Sequence, residues 1–126
     1  MELALLNDII KSSKNILLTS HVNPDGDTLG SMCGLYALIE ENFKKRCDML
    51  ACSHISKMYE HVPNIEKVKQ ISEIDKSREY DLVITVDVAA LDRILDAQIL
   101  FEKAKHTVNF DHHRTNINFG EINILY

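Results

Sequence analysis

The sequence predicts one α/β domain with an open, mainly parallel sheet and helices on both of its faces. Short, strand-like runs rich in apolar residues lie at 16–20, 82–86 and 107–110, and the near-continuous apolar character of the first is typical of a strand that is covered on both faces. Segments of helical periodicity lie between such strands, and this alternation favours a parallel sheet with crossover connections. The length of 126 residues fits one domain.

The first third of the chain is predicted to form a helix, a strand and a second helix. Apolar residues at helical spacing predict an amphipathic helix over residues 2–13. The strand at 16–20 leads into a turn, and Asp27 or Thr28 then caps the second helix. Gly30 and Gly34 lie inside that helix, where we expect them to permit close packing on the sheet.

The remaining elements are predicted from the same patterns. In chain order they are a strand at 47–51, a short helix near 54–60, a short edge strand around Val68 and Ile71, a strand at 82–86, a helical connection over 91–105, and strands at 107–110 and 122–125. We expect the sheet to be incomplete at its C-terminal end, with residues 1–126 forming the N-terminal part of a larger domain.

The composition excludes several classes of protein. The apolar fraction of 45% and the charged fraction of 26% are ordinary for a globular domain. A net charge of −5 argues against binding to long duplex nucleic acid or to anionic membranes, which need clustered Lys and Arg. A short anionic substrate remains compatible with this charge, because bound metal ions supply local positive charge.

The cysteines and the N-terminus indicate the compartment. Cys33, Cys47 and Cys52 show no C-x-x-C spacing, so neither a disulfide framework nor a structural zinc site is expected. The N-terminus lacks the features of a signal peptide, and no apolar run approaches the length needed to cross a bilayer. We therefore expect a soluble, cytoplasmic protein.

Three predicted strands end directly before aspartate or histidine residues. The strand at 16–20 runs into HVNPDGD at residues 21–27, the strand at 82–86 ends at Asp87, and the strand at 107–110 ends at DHH at residues 111–113. The carboxyl ends of parallel strands meet at one edge of a sheet, where ligands bind. Carboxylates and imidazoles gathered there favour divalent metal ions, so the sequence predicts a dinuclear metal hydrolase site.

Each cluster also has a simpler interpretation. Asp25 and Asp27 could be turn and cap residues, Asp87 could lie in a solvated loop, and the two histidines could belong to an ordinary polar loop. Adjacent residues point in opposite directions at a strand end. At most one of His112 and His113 is therefore expected to bind metal directly.

Taken together, these residues resemble the DHH phosphoesterase superfamily. The resemblance rests on HVNPDGDTLGS at 21–31, Asp87 followed by LDR at 91–93, and VNFDHH at 108–113 with Asn116. It covers essentially the whole chain and is closest to the bifunctional oligoribonuclease and 3′-phosphoadenosine-5′-phosphate phosphatase branch.

The resemblance implies a role for each matching residue. It implies two Mn²⁺ ions, with Mg²⁺ or Co²⁺ as substitutes. The implied metal ligands are His21, Asp25, Asp27, Asp87 and His112, with Asp87 bridging both ions. His113 would contact the scissile phosphate and Asp111 would support the histidines.

Two arginines lie in or next to these motifs. Arg114, next to the histidine pair, is a candidate contact for an anionic substrate, because Arg suits phosphate. Arg93 is expected to anchor a carboxylate such as Asp92, with a phosphate contact left open.

The resemblance also implies what this chain lacks. The family pattern continues with a further aspartate motif and a smaller substrate-binding domain, and both would lie beyond residue 126. We therefore expect residues 1–126 alone to bind the second metal weakly and to show little turnover. The resemblance also leaves room for a homodimer of the full-length protein.

The function expected from these observations is hydrolysis of short oligoribonucleotides, of 3′-phosphoadenosine 5′-phosphate, or of both. Within the superfamily, a pyrophosphatase, an exopolyphosphatase and a cyclic dinucleotide phosphodiesterase remain alternatives. A nucleotide-sensing or interaction domain with a vestigial site is an alternative of another class. An oxygen-activating or redox iron protein is a third.

Overall fold

Six parallel strands form a single sheet. The computed structural model describes residues 2–125, and the strand order is β3-β2-β1-β4-β5-β6. The strands are β1 (Ile16–Ser20), β2 (Cys47–Ala51), β3 (Val68–Gln70), β4 (Leu82–Val86), β5 (His106–Asp111) and β6 (Ile122–Leu125). The α-helices of the described residues are α1 (Glu2–Ser12), α2 (Gly26–Asn42) and α3 (Gln98–Lys103). The predicted parallel α/β fold is confirmed.

The helices lie on both faces of the sheet because the central strands are buried on both sides. Leu17 and Val83 pack on one face with Ile94 and the α3 residue Leu100. On the opposite face, Leu18 and Ile84 pack against α1 and α2. All five residues of β1, β2 and β4 are buried, which explains their continuous apolar character.

The register of the central strands aligns their carboxyl ends. Ser20 of β1 pairs with Val86 of β4, and Val86 pairs with Phe110 of β5. The chain leaves β1 towards β2, whereas β4 connects to β5 on the other side of the sheet. The strand order reverses between β1 and β4, which creates the crevice where α/β proteins bind ligands.

Two local predictions are wrong in detail. The N-cap of α2 is Asp25, whose side chain accepts a hydrogen bond from the Thr28 N–H, so neither Asp27 nor Thr28 caps the helix. The segment 54–60 contains only a 3-10 turn over Lys57–Tyr59. The helical character predicted for the connection over 91–105 is confirmed, since a 3-10 helix at Leu91–Ala97 is followed by α3, with a kink at Leu95, where φ is 50°.

The expected reason for the glycines of α2 is also wrong. Gly30 and Gly34 are exposed, and a Cβ atom built at either position meets nothing within 4 Å. Neither glycine is therefore needed for close packing against any described residue.

Among residues 2–125, no helix is both long and apolar enough to cross a membrane.

Replacing Gly34 by alanine is expected to stabilise the protein. Alanine lowers the conformational cost of the helix by about 1 kcal/mol relative to glycine in a helix interior, and the added methyl group enters open space. The urea midpoint should therefore rise. Gly120→Ala is the matched control and should lower the midpoint, because its Cβ would lie 3.0 Å from the Ile122 carbonyl oxygen. A lower midpoint for Gly34→Ala would show that another part of the protein covers this helix face.

Candidate active site

The three predicted motifs meet around the carboxylate of Asp87. Its Oδ1 lies 2.9 Å from Nε2 of His112, and its Oδ2 lies 3.4 Å from Nε2 of His21. Thr28, from the first turn of α2, donates its hydroxyl proton to the same Oδ2 at 2.6 Å. Asp87 is therefore the point at which the ends of β1, β4 and β5 are joined.

The backbone at Asp87 is held in an unusual conformation. Its φ is 61°, a left-handed value that few residues other than glycine adopt. Its N–H donates to the carbonyl oxygen of Phe110 at 2.8 Å, so β5 fixes the turn that follows β4. Such backbone conformations are typical of functional sites, where the surrounding structure maintains them.

The ring of His21 is oriented by a backbone carbonyl group. Its Nδ1 lies 2.6 Å from the carbonyl oxygen of Val22, which can only accept, so Nδ1 carries the proton. In the neutral ring, Nε2 then carries no proton, and its lone pair faces Oδ2 of Asp87. A backbone carbonyl that fixes the tautomer of a histidine in this way is a common feature of metal ligands.

Asp25 is joined to the same cluster through Thr28. Its Oδ1 accepts from the Thr28 N–H and from the Thr28 hydroxyl, each at 2.9 Å. Two hydrogen bonds from Thr28 lower the pKa of Asp25 below its usual value. The backbone N–H has the larger effect and the hydroxyl the smaller one. Asp25 is therefore ionised at neutral pH.

The Thr28 hydroxyl has more acceptors than protons. It has one proton, yet it lies within 3.3 Å of Asp25 Oδ1, Asp87 Oδ2 and His21 Nε2. Two carboxylate oxygens and one imidazole nitrogen therefore surround a single hydroxyl group. Carboxylate oxygens and imidazole nitrogens facing one another in this way fit a divalent cation. The residues present are thus compatible with a metal site.

The third motif is held by a buried aspartate. Asp111 is fully buried, and it accepts from His113 Nδ1 at 2.5 Å and from Asn116 Nδ2 at 2.8 Å. Burial raises the pKa of Asp111, but the hydrogen bonds from Asn116 and His113 outweigh it and the net shift is downward. Asp111 is therefore an anion that fixes the His113 ring.

Two asparagines bind the chain that follows Asp87. Asn109 and Asn116 both donate to the carbonyl oxygen of Val88, at 3.0 and 3.1 Å. Asn109 also accepts from the hydroxyl of Thr85 at 2.7 Å. Sequence reasoning did not assign these contacts or the role of Thr28. The available signal was the polar pair Thr85 and Asn109, each flanked by apolar residues in its strand.

The remaining predicted residues lie at different distances from this centre. Ligand atoms of Asp87, Asp111, His112 and His113 lie within 4.8 Å of one another. Asp27 lines a cavity of about 210 Å³ with Asp87 and His112. Arg114 is exposed and lines neither this cavity nor a second one, of about 320 Å³, on the other side of Asp87.

Comparison with known proteins decides the family. The profile of the DHH family, N-terminal domain, matches residues 15–126. The chain belongs to the DHH family. The resemblance inferred from the three motifs is thereby confirmed.

Several curated proteins are similar to this chain over part of their length. The probable bifunctional oligoribonuclease and PAP phosphatase NrnA of Streptococcus mutans is 30% identical over 117 residues, which cover 92% of this chain and 35% of that protein. NrnA of Bacillus subtilis is 28% identical over 85% of the chain and 32% of its own length. The cyclic-di-AMP phosphodiesterase GdpP of Geobacillus thermodenitrificans is 26% identical over 95% of the chain and 20% of its own length. The chain thus spans about a third of the length of the NrnA proteins.

A solved structure confirms the fold. The crystal structure of an exopolyphosphatase-related protein from Bacteroides fragilis matches with a TM-score of 0.90 at 23% sequence identity. The match covers 99% of this chain and 38% of that one.

Removing the Thr28 hydroxyl is expected to weaken metal binding. Thr28→Val keeps the size of the buried side chain but leaves Asp25 and Asp87 without their shared donor, so Mn²⁺ affinity should fall about 10- to 100-fold, as for other residues that orient ligands. Titration of free Mn²⁺ by electron paramagnetic resonance measures this change. Thr28→Ser, which restores the hydroxyl, should keep most of the affinity.

Thr107→Val is the control for the general loss of a threonine hydroxyl. Thr107 accepts from the Glu121 N–H near the start of β5, at the other end of the strand from the candidate site. Equal Mn²⁺ affinities for the Thr28→Val and Thr107→Val proteins would contradict the role given to Thr28.

Proposed function

We propose that the full-length protein is a manganese-dependent phosphoesterase with a dinuclear metal site. The observation that carries this proposal is the position of Asp87. Its two carboxylate oxygens face two different imidazoles, His112 at 2.9 Å and His21 at 3.4 Å. A carboxylate placed between two separate nitrogen donors is suited to bridge two cations. Phosphoester hydrolysis is the chemistry named for several DHH relatives.

The proposed ligand sets divide around Asp87. His21 and Asp25 would hold one Mn²⁺, and Asp27 and His112 the other. Mg²⁺ or Co²⁺ would be substitutes. When bound, two such ions lower the pKa of a water and neutralise charge on the phosphate.

His113 is the proposed residue for direct action on the substrate. Its Nδ1 donates to the ionised Asp111 at 2.5 Å, which fixes the orientation of the ring. The negative charge of Asp111 would stabilise a positive charge on that ring. His113 would therefore bind the scissile phosphate or give a proton to the departing oxygen. Arg114 is a second proposed substrate contact.

The proposed substrates are short oligoribonucleotides and 3′-phosphoadenosine 5′-phosphate, which is abbreviated PAP. NrnA relatives named for these two activities match 85–92% of this chain. The GdpP relative, named for cyclic-di-AMP, makes a cyclic dinucleotide the second candidate.

All seven site residues that the family resemblance implies within residues 1–126 are present. Six of the seven also lie in one network of ion pairs and hydrogen bonds. This argues against a vestigial site.

A substrate panel on the full-length protein tests the proposed function. With Mn²⁺, we expect turnover of diadenylate and PAP to exceed turnover of cyclic-di-AMP, pyrophosphate and polyphosphate. Chelation should abolish it and Mn²⁺ should restore it, because the carboxylates alone repel a phosphate. Preference for cyclic-di-AMP would support the second candidate. Binding of Mn²⁺ and PAP without any hydrolysis would overturn the enzymatic proposal.

Replacing His113 by alanine should lower kcat without removing the metals. The loss expected for a group that transfers a proton is about 100- to 10,000-fold, whereas Mn²⁺ stoichiometry should stay unchanged. His61→Ala is the matched control, because His61 is an exposed histidine outside the three motifs. Full phosphodiesterase activity in the His113→Ala protein would refute this role.

A further inference from the structure

The cavity on the far side of Asp87 contains a basic side chain to which the proposed mechanism gives no task. It is lined by the site residues His21, Asp87 and His113, together with Ala89, Ala90, Arg93 and Thr115. Its volume of about 320 Å³ falls within the range of small-ligand sites. The cavity adjoins the metal centre because Asp87 lines both cavities.

Arg93 is available to an external anion. Of the described residues that line the two cavities, it is the one Lys or Arg. Within residues 2–125, no carboxylate forms an ion pair with its guanidinium, so the expected anchoring of Asp92 does not occur. Arg78, by contrast, pairs with Asp48 at 2.9 Å.

The backbone of Arg93 is fixed relative to the first motif. Its N–H donates to the carbonyl oxygen of Ala90 at 3.1 Å, and its own carbonyl oxygen accepts from the N–H of Val22 at 2.9 Å. Val22 directly follows His21. The next residue, Ile94, is fully buried and anchors the 3-10 helix. Arg93 therefore projects from a supported element, which is the arrangement that specific binding requires.

The site is rich in carboxyl groups, so a basic residue such as Arg93 would favour the binding of a further anion. Four carboxyl groups lie around the centre, those of Asp25, Asp27, Asp87 and Asp111. Bound cations would neutralise enough of this negative charge to admit one scissile phosphate. A substrate with a second phosphate group brings further negative charge. The guanidinium group binds phosphate with paired, charge-assisted hydrogen bonds, and the small side chain of Ala90 leaves room for that group.

We propose that Arg93, with the hydroxyl of Thr115, forms a subsite for a phosphate that is not cleaved. This subsite rests on the proposed function, and it defines the preferred substrate class as nucleotides that carry a second phosphate beside the scissile one. In PAP this is the 5′-phosphate when the 3′-phosphate is cleaved. In a short oligoribonucleotide it is the 5′-terminal phosphate.

Two substrate pairs that differ by one phosphate test the subsite in the full-length protein with Mn²⁺. One pair is PAP and adenosine 3′-phosphate, and the other is diadenylate with and without a 5′-phosphate. For Arg93→Gln we expect KM to rise about tenfold or more for the phosphate-bearing member, as for the loss of a charged hydrogen-bond donor. The kcat for that member, and both constants for the other member, should stay within about twofold. Arg93→Lys should show a smaller rise in KM.

Arg46→Gln is the matched control, because Arg46 is exposed just before β2, at the opposite edge of the sheet. It should leave all four substrates unchanged. Equal losses for both members of a pair in Arg93→Gln would overturn the subsite, since Arg93 would then act through the metal centre. An unchanged KM for the phosphate-bearing members would also overturn it.

A binding measurement separates failure of the subsite from failure of the proposed function. If the wild-type protein hydrolyses none of these substrates, the proposed function fails, and calorimetric titration with PAP and adenosine 3′-phosphate then decides the subsite. Tighter binding of PAP that is lost in Arg93→Gln supports it. Equal affinities for the two nucleotides in the wild-type protein overturn it.

Discussion

The candidate site depends on one carboxylate that is held between two histidines. The level register of β1, β4 and β5 brings Ser20, Val86 and Phe110 side by side, so the residue that follows each strand reaches the same edge of the sheet. Asp87 occupies the middle position. Its backbone is bound to Phe110, and its two oxygens reach the first and third motifs.

The residues around Asp87 form an environment that favours a positive charge. Thr28 gives one proton to a cluster of acceptors, and the carbonyl oxygen of Val22 binds Nδ1 of His21 and so turns Nε2 towards Asp87. Asp111 is kept anionic by Asn116 and His113, although it is fully buried. Such a group of lone pairs around the buried side chains of Thr28 and Asp111 favours a cation or a proton that joins them.

The sequence predicted the strands and the positions of the motifs because both arise from local patterns. The apolar run that forms Leu82–Val86 and the aspartate after it are visible without a structure. The partners of Thr28 were not predictable, since its hydroxyl joins Asp25 to Asp87, which lies 59 positions after Thr28. The segment 54–60 forms a 3-10 turn because its apolar side chains pack on the core without a full helical stripe. The kink at Leu95 depends on tertiary packing of Ile94 and Ala97.

Spin coupling between bound Mn²⁺ ions tests the central claim most directly. With two equivalents of Mn²⁺, the full-length wild-type protein should show the electron paramagnetic resonance signal of an exchange-coupled pair. Asp87→Asn should lose that coupling, whereas Asp92→Asn, a change at an exposed position nearby, should retain it. An uncoupled signal in the wild-type protein, or a coupled pair that survives in Asp87→Asn, would contradict a metal site bridged by Asp87.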